Sequence, residues 1–402
     1  MTALEIAPAV LGERLREARR ARGLSQEEVA DELGVSRPTL VAMEQGKRRP
    51  RPEELVTLAR IYGRQVHELA RQTPPVLGLA ALFRAAEKGA TAEMAESVEE
   101  LQRTADSLVE LETITGAPSA RNYPDQYDIK GIPLDAAAEQ LADVERRRLG
   151  YGDGPLPWLR DVLEDEIGLR IFALPLPASI AGLFGHAEPA GSCVAINSRH
   201  PRERQQWTLA HEYAHFLTSR WSTEVTALTQ ARSSARERFA DSFAAHFLMP
   251  RGGIVRRFQA ARNSRGGDFT AGDLLQIAAA YLVSAEALAL RLEDLRLVGA
   301  AWWDGLRARG LKVEQGRKLL GLPSAGRDQE LLPRRARYLA VEAYLKAEIS
   351  EGQLARLLGT DRAAARRIAR DLSASLDLDD AGGLVAYEWN PEGSAGDPVA
   401  AK

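Results

Sequence analysis

Residues 208–217 read TLAHEYAHFL. His211 and His215 stand four apart, so on a helix both imidazoles leave the same face. Two neutral imidazoles on one face suit a zinc ion. Glu212, beside the first of them, is placed to act as general base toward water at such an ion. Leu209, Ala210, Phe216 and Leu217 make this helix apolar enough to bury. The chain holds only six histidines, so the spacing is a specific signal.

A tetrahedral catalytic site takes three protein ligands and keeps one position for water. Downstream, RERFADSFAAHFLMP (236–250) carries the stripe Phe239, Ala240, Phe243, Ala244, Phe247 and Leu248 at helical spacing. Glu237 opens that helix, and a carboxylate beside such a stripe can face a buried metal. Asp241, one turn on, is a candidate acceptor for a histidine N–H. His246 is the rival ligand. It lies nine residues past Glu237, about 13 Å along a helix axis. Its other readings are a partly buried helix histidine and a stabiliser of a tetrahedral oxyanion.

Upstream, LRIFAL (169–174) and CVAIN (193–197) read as short apolar strands bounded by turn residues. Helical patterns fall at 134–148, 158–167, 201–219 and 232–248, the last ending at Pro250. Together they make residues 127–262 a mixed α+β block. CVAIN is the expected place for an extended substrate, because peptides add to sheet edges. Cys193 on that strand is expected to be packing.

The first 72 residues read as short capped helices. Leu11, Leu15 and Ala18 mark the first, which Gly23 ends. Ser25 and Glu28 form a capping box for the second, which stops at Gly34. Ser36 caps the third, with Pro38 tolerated in its first turn. Residues 53–62 give a fourth, and 66–69 are expected to add another. The second and third form a helix-turn-helix, with Ala30 small enough for close approach and Gly34 free to take positive φ. Ser36, Arg37 and Thr39 lie where a recognition helix meets bases, and Arg37 could take a guanine bidentately. Gln26 can reach a phosphate or an adenine, and Lys47, Arg48, Arg49 and Arg51 fit along the backbone. Residues 1–72 hold thirteen Lys/Arg against eleven Asp/Glu, so placement rather than net charge carries this reading.

The stretch LSQEEVADELGVSRPTLVAMEQGKRRP followed by LVTLARIYG resembles the Xre/Cro family of repressor-like domains. TLAHEYAHFL, then E-x-x-A-D-x-F-A and LMP, resembles the ImmA/IrrE family of bacterial metallopeptidases over roughly residues 127–260. That second resemblance implies a zincin-like fold in which His211, His215 and Glu237 hold zinc and Glu212 is the base. It also implies cleavage of helix-turn-helix repressors during stress or induction of mobile elements. Manganese is the alternative metal, since a His2Glu set admits both. The chain departs from the family at Tyr213-Ala214, where smaller or aliphatic residues are usual.

The remainder frames these two motifs. Residues 73–126 read as a connector, with an acidic helical stretch expected as a spacer or dimerisation helix. Residues 263–402 read as mostly helical, with a tail from 384 rich in Gly and Pro. FTAGDLLQIAAAYLVSAEALALRL (269–292) resembles the extension that follows the peptidase in the ImmA/IrrE family. LSQEEVADELGVSRPTLVAM (24–43) aligns without gaps on ISEGQLARLLGTDRAAARRI (349–368), which marks a second helix-turn-helix-like unit or a tight helical corner.

The expected fold class is therefore multidomain. It comprises an all-α helix-turn-helix domain, an α+β metallopeptidase domain and a mostly α C-terminal region. Composition narrows the function. Length, 402 residues, argues for more than one domain, and a net charge of −3 excludes a bulk polycation. A single cysteine excludes internal disulfides and Cys-based clusters, and neither a stretch of eighteen or more apolar residues nor a signal peptide is visible, so a cytoplasmic protein without membrane contact is expected. The expected partners are double-stranded DNA, a protein substrate of repressor type, and a second copy in a homodimer. The leading class is a DNA-coupled zinc endopeptidase. The alternatives are a regulator whose peptidase-like domain senses metal or ligand without cutting, and an interaction module such as an antitoxin. Retention of Glu212 favours the first, because metal binding alone needs no base.

Overall fold

The computed structural model describes residues 8–22, 24–62, 66, 69, 92–129, 131–187, 189–220, 224–227, 234–264, 266–323, 326–327 and 330–375. The chain divides into two compact units, residues 1–75 and 76–402. The expected stop at Gly23, residues 67 and 68 of the 66–69 segment and the tail from 384 lie outside the described residues.

The first unit holds α1 (Pro8–Ala21), α2 (Gln26–Leu33), α3 (Arg37–Glu44) and α4 (Pro52–Tyr62). Leu11, Leu15, Val29, Leu40, Met43, Leu58 and Tyr62 form its core. The capping box forms as the sequence predicts, with Glu28 N donating to Ser25 Oγ and Ser25 N to Glu28 Oε2. Gly34 takes φ 72°, ψ 32°, and the following Val35 N donates back to Ala30 O at 2.9 Å. That bond turns the chain sharply into α3. Ser36 differs from expectation. It stands at the N-cap of α3 without capping it, its hydroxyl lying 2.9 Å from Thr39 Oγ1.

The second unit is built on a four-stranded mixed sheet. Its strands are β1 (Arg170–Leu174), β2 (Ile180–Ala187), β3 (Gly191–Asn197) and β4 (Glu224–Ala227), in the spatial order β1-β3-β2-β4. β1 runs parallel to β3, and β2 is antiparallel to both β3 and β4. CVAIN is therefore a central strand with both ladders occupied, and it cannot take a peptide at its edge. The sequence reading missed β2 (IAGLFGHA), because two glycines in eight residues dilute the strand pattern.

Strand alternation sends two residue sets to opposite faces. Ile171, Ala173, Phe184, Val194 and Ile196 face one core. Over it lie α6 (Leu134–Arg148), α8 (Arg202–Ser219) and α9 (Ala235–Leu248). The chain enters the sheet through α7 (Leu159–Val162), which continues as one π turn, Leu163–Ile167. After α10 (Arg251–Ser264), α11 (Ala271–Tyr281) and α12 (Ala285–Asp294) complete this core with Leu274, Leu275, Leu288 and Leu292. The expected boundary at 262 thus falls inside a single packed body. Among the described residues no single helix is long and apolar enough to cross a membrane.

Phe172, Leu174, Leu183, Cys193 and Ala195 face the other side, where α5 (Ala92–Thr115) lays Met94, Val98, Leu101, Ala105 and Leu108. α5 is therefore a structural layer of this unit, where a spacer or dimerisation helix was expected. Its stripe looks thin in sequence because it packs on one face of a small sheet. α13 (Trp302–Ala308), α14 (Val313–Leu319), α15 (Arg334–Leu345), α16 (Glu351–Leu357) and α17 (Arg362–Ser375) follow, and Leu332 and Ala336 join the α5 core. Burial raises the Cys193 thiol to about 12, which leaves it an unreactive packing residue.

Leu101 of α5 is fully buried against the sheet. Leu101→Ala should cost about 2–5 kcal/mol of stability, read from chemical denaturation of the full chain. A loss below about 0.5 kcal/mol, the level of a surface change, would show that α5 is not a layer of the core.

Candidate metal centre and DNA-facing surface

Helix α8 is buried over nearly its whole length, so its polar side chains must find partners inside the fold. Gln205 donates to Asn197 O at 3.0 Å, and Gln206 accepts from Leu159 N at 2.9 Å. Glu203 pairs with Arg317 at 2.6 Å. These contacts fix the roll of the helix against β3 and α7. Tyr213 then points into the aromatic core, stacked on Phe216 and edge-on to Phe243. Its hydroxyl bonds the buried Glu145, which Arg148 also grips at 2.7 Å. The departure from the family pattern at Tyr213 is thus absorbed on the side of the helix away from the histidines.

His211 and His215 project together, with their Nε2 atoms 3.2 Å apart. Glu237 meets both. Its Oε2 is 3.3 Å from His211 Nε2 and its Oε1 3.2 Å from His215 Nε2. Ser234 caps α9 through the Glu237 N–H at 3.1 Å, which sets Glu237 in the first turn, where the helix dipole favours an anion. Ligands about 2.0–2.1 Å from a shared tetrahedral ion lie roughly 3.3 Å from one another. The separation between the two imidazole nitrogens matches that edge, each of them faces a different Glu237 oxygen at a similar distance, and two imidazoles with one carboxylate are a zinc-type donor set. Among the described residues these three form one group of metal-ligating type.

Asp241 Oδ1 lies 3.0 Å from His211 Nδ1. This bond fixes the ring so that Nε2 faces the ion position. Burial pushes the His211 imidazolium down, but the bonds to Asp241 and Glu237 outweigh it and raise the group to about 9. Bonds from His211 and His215 hold the Glu237 carboxyl far below the usual carboxylate range, against the opposing effect of burial. A divalent cation at this point would displace imidazole protons, so binding should release them.

Glu212 is fully buried on the sheet side of α8. A Cβ at Gly182 of β2 would lie 2.8 Å from Glu212 Oε1 and 2.6 Å from Thr208 Cγ2. The glycine that weakened the strand signal is thus the one that admits the Glu212 carboxylate. Gly182 also pairs with Thr226 of β4, so the outer strand runs close to this carboxylate.

His246 does not join the cluster. Its Nε2 lies 3.2 Å from Asp135 Oδ1 and its Nδ1 2.9 Å from an Arg291 nitrogen. Both ring nitrogens are taken up in tying α9 to α6 and α12, away from the ligand face. Sequence spacing placed His246 on the right helix but could not show its partners.

In the first unit, the eight residues expected to face DNA separate by environment, and Arg51 is exposed. Arg37, Lys47 and Arg49 are exposed. Arg37 stands 3.7 Å from Glu27, a solvent-exposed pair worth little. Ser36 and Thr39 hold each other through their hydroxyls. Gln26 donates to Glu44 Oε2 at 2.9 Å, and Arg48 grips Glu54 at 2.8 Å, so these two side chains hold the unit together. Glu44 also receives Arg19 at 2.6 Å in a buried pair that the sequence reading missed. Gly12 was missed as well. A Cβ there would lie 2.6 Å from Met43 O and 2.7 Å from Gly46 N, so α1 can press on the end of α3 only because residue 12 is glycine.

A helix-turn-helix unit joined to a body that brings an H-E-x-x-H helix and a glutamate to one point defines a class: a regulator-type DNA-binding domain on a metallopeptidase-type domain. Known families and relatives agree with it. Residues 164–293 match the IrrE N-terminal-like domain family (Peptidase_M78), and residues 10–72 match a helix-turn-helix domain family. The chain thus carries a helix-turn-helix DNA-binding domain, related to Xre-type transcriptional regulators, and an IrrE-like metallopeptidase domain. It is 44% identical over 59 residues to the HTH-type transcriptional regulator DdrOP3 of Deinococcus deserti, covering 15% of this chain and 46% of that one. It is 41% identical over 56 residues to the cryptic phage CTXphi transcriptional repressor RstR of Vibrio cholerae, covering 14% and 50%. An uncharacterized HTH-type transcriptional regulator of Archaeoglobus fulgidus is 38% identical over 56 residues, covering 14% and 80%. The chain spans about half the length of the first two of these relatives.

Elemental analysis should find about one metal ion per chain in the wild type and little in Glu237→Ala. Asp241→Asn should weaken the metal about 10–100-fold, measured by competition with a chromogenic chelator. Full occupancy in Glu237→Ala would place the third ligand elsewhere.

Proposed function

We propose that this protein is a cytoplasmic zinc-dependent endopeptidase that binds DNA through its N-terminal unit. Its substrate is a repressor-type protein removed in a stress or mobile-element response. The observation that carries this reading is Glu212, buried beside three residues of metal-ligating type and housed by Gly182. A site that only bound metal would need no such carboxylate. His211, His215 and Glu237 would hold the ion, which supplies Lewis acidity and a lowered water pKa when bound. Glu212 accepts the proton of the attacking water and delivers it to the departing amine. Asp241 keeps the His211 ring in register. The outward edge of β4 is the proposed seat of the substrate, since an extended chain added there would run near Glu212.

A second reading rests on the relatives, whose names mark them as transcriptional regulators or a repressor. On that reading the IrrE-like domain senses metal or ligand without cutting. One variant separates the two. Glu212→Gln should keep its metal yet lose about 10²–10⁴-fold in cleavage rate, read as new protein N-termini in a cell lysate treated with wild type or variant. An equal set of new termini from both would end the catalytic role of Glu212, and none from the metal-loaded wild type would favour the sensor.

The proposed base contact of Arg37 has its own signature. Arg37→Ala should weaken binding to the selected operator by about 1–3 kcal/mol and relax preference at one position. An equal loss across all duplexes would make Arg37 a phosphate contact.

A further inference from the structure

The gapless alignment between residues 24–43 and 349–368 extends to the hydrogen bonds. At a constant offset of 325, Ser25 and Glu28 become Ser350 and Gln353, and both pairs form complete capping boxes. Val29 and Ala30 become Leu354 and Ala355, all four buried. Gly34 at φ 72° becomes Gly359 at φ 63°. The turn-closing bond from Val35 N to Ala30 O, 2.9 Å, becomes Thr360 N to Ala355 O, also 2.9 Å. The next helix starts at Arg37 in one copy and Arg362 in the other, and Leu40 and Ala365 are both fully buried. A generic helical corner needs a glycine and small residues, but not the same capping box on the first helix, the same closing bond and the same buried positions together.

We propose that residues 334–375 are a second helix-turn-helix unit, which binds duplex DNA through the arginine-bearing face of α17. Leu339, Ala340, Ala343, Leu354, Ala365 and Ala369 form the unit's core, which Leu111 of α5 joins. It holds nine Lys/Arg against five Asp/Glu, a larger positive excess than the first unit carries. α17 buries Ala365 and Ala369 and exposes Arg362, Ala363, Arg366, Arg367 and Arg370. Asp361 caps it by accepting Ala364 N at 2.8 Å. Arg366 leans on Glu351 at 2.9 Å, an exposed pair that phosphate can displace. Arg362, Arg366 and Arg370 form a row about 12 Å long on the helix, comparable with the major-groove width of about 12 Å. A protein-docking face would present large apolar side chains. Here the exposed position between the arginines holds alanine, which lets the helix approach a phosphate backbone closely.

The test uses the full chain carrying Arg37→Ala, Lys47→Ala and Arg49→Ala, so that binding by the first unit is suppressed. Binding to a duplex of arbitrary sequence, about 30 base pairs or three helical turns long, is followed by fluorescence anisotropy over a salt series. Adding Arg362→Ala, Arg367→Ala and Arg370→Ala should lower affinity at least about tenfold. It should also reduce the slope of log K against log salt by about 0.9 for each phosphate that is no longer neutralised. Ala363→Glu, at an exposed position, should weaken binding without removing an arginine and so guards against an unfolding artefact. If both variants bind DNA like their parent with the same salt slope, the proposal fails. Unchanged DNA binding with an altered oligomeric mass would likewise overturn it, in favour of a protein-docking helix.

Discussion

The architecture of the second unit answers one constraint: three ionisable side chains of α8 sit inside a hydrophobic core. His211, Glu212 and His215 are each at most 2% exposed. Charge in such a place is stable only if it is paired and hydrogen-bonded. Glu237 and Asp241 must therefore arrive from α9 at fixed positions, one helical turn apart. That requirement sets how α9 lies on α8, and the aromatic ladder Phe239, Phe243, Phe247 on the other side of α9 holds it there. His246, Arg291 and Asp135 then lock the far end of α9 to α6 and α12. The metal-type cluster at one end and the structural histidine at the other use the same helix for different purposes.

The same constraint explains the sheet. An α8 buried over nearly its whole length needs a flat apolar neighbour, and β3 supplies it with side chains buried on both faces. α8 also needs room for Glu212, which β2 supplies by giving up a side chain at Gly182. A strand that carries glycine at such a point loses intrinsic strand preference. It is kept in register by its ladders to β3 and β4, and so its conformation is decided by tertiary contacts.

This is why the sequence was readable in some places and opaque in others. The histidine pair, the Ser25–Glu28 capping box, α6 and the strands β1 and β3 were legible because each rests on local spacing or on unbroken apolar runs, whereas Glu237 was reached partly through the family resemblance. β2 was not, since its identity depends on what presses against Gly182. The role of α5 was not, because a stripe of apolar residues does not say what it covers. His246 was ambiguous for the same reason: its helix position was plain, but Asp135 lies 111 residues away in the chain. Gly12 and the Arg19–Glu44 pair likewise acquire meaning only once α1 crosses the end of α3.

The first helix-turn-helix shows how a polar network and a recognition surface share residues. Gln26 and Arg48 carry the hydrogen-bonding groups one would assign to DNA by position alone, yet both are tied to carboxylates of the unit, Glu44 and Glu54. Their bonds orient α3 and the turn after it. Arg37, Lys47 and Arg49 are left at the surface on a frame those bonds have made rigid. Fixing the frame before the ligand arrives lowers the entropy that binding must overcome. The unit therefore separates groups that hold shape from groups that can meet a partner, although both lie within the same short stretch. The metal-type site makes the same separation, with Asp241 holding a ring and Glu237 presenting an oxygen.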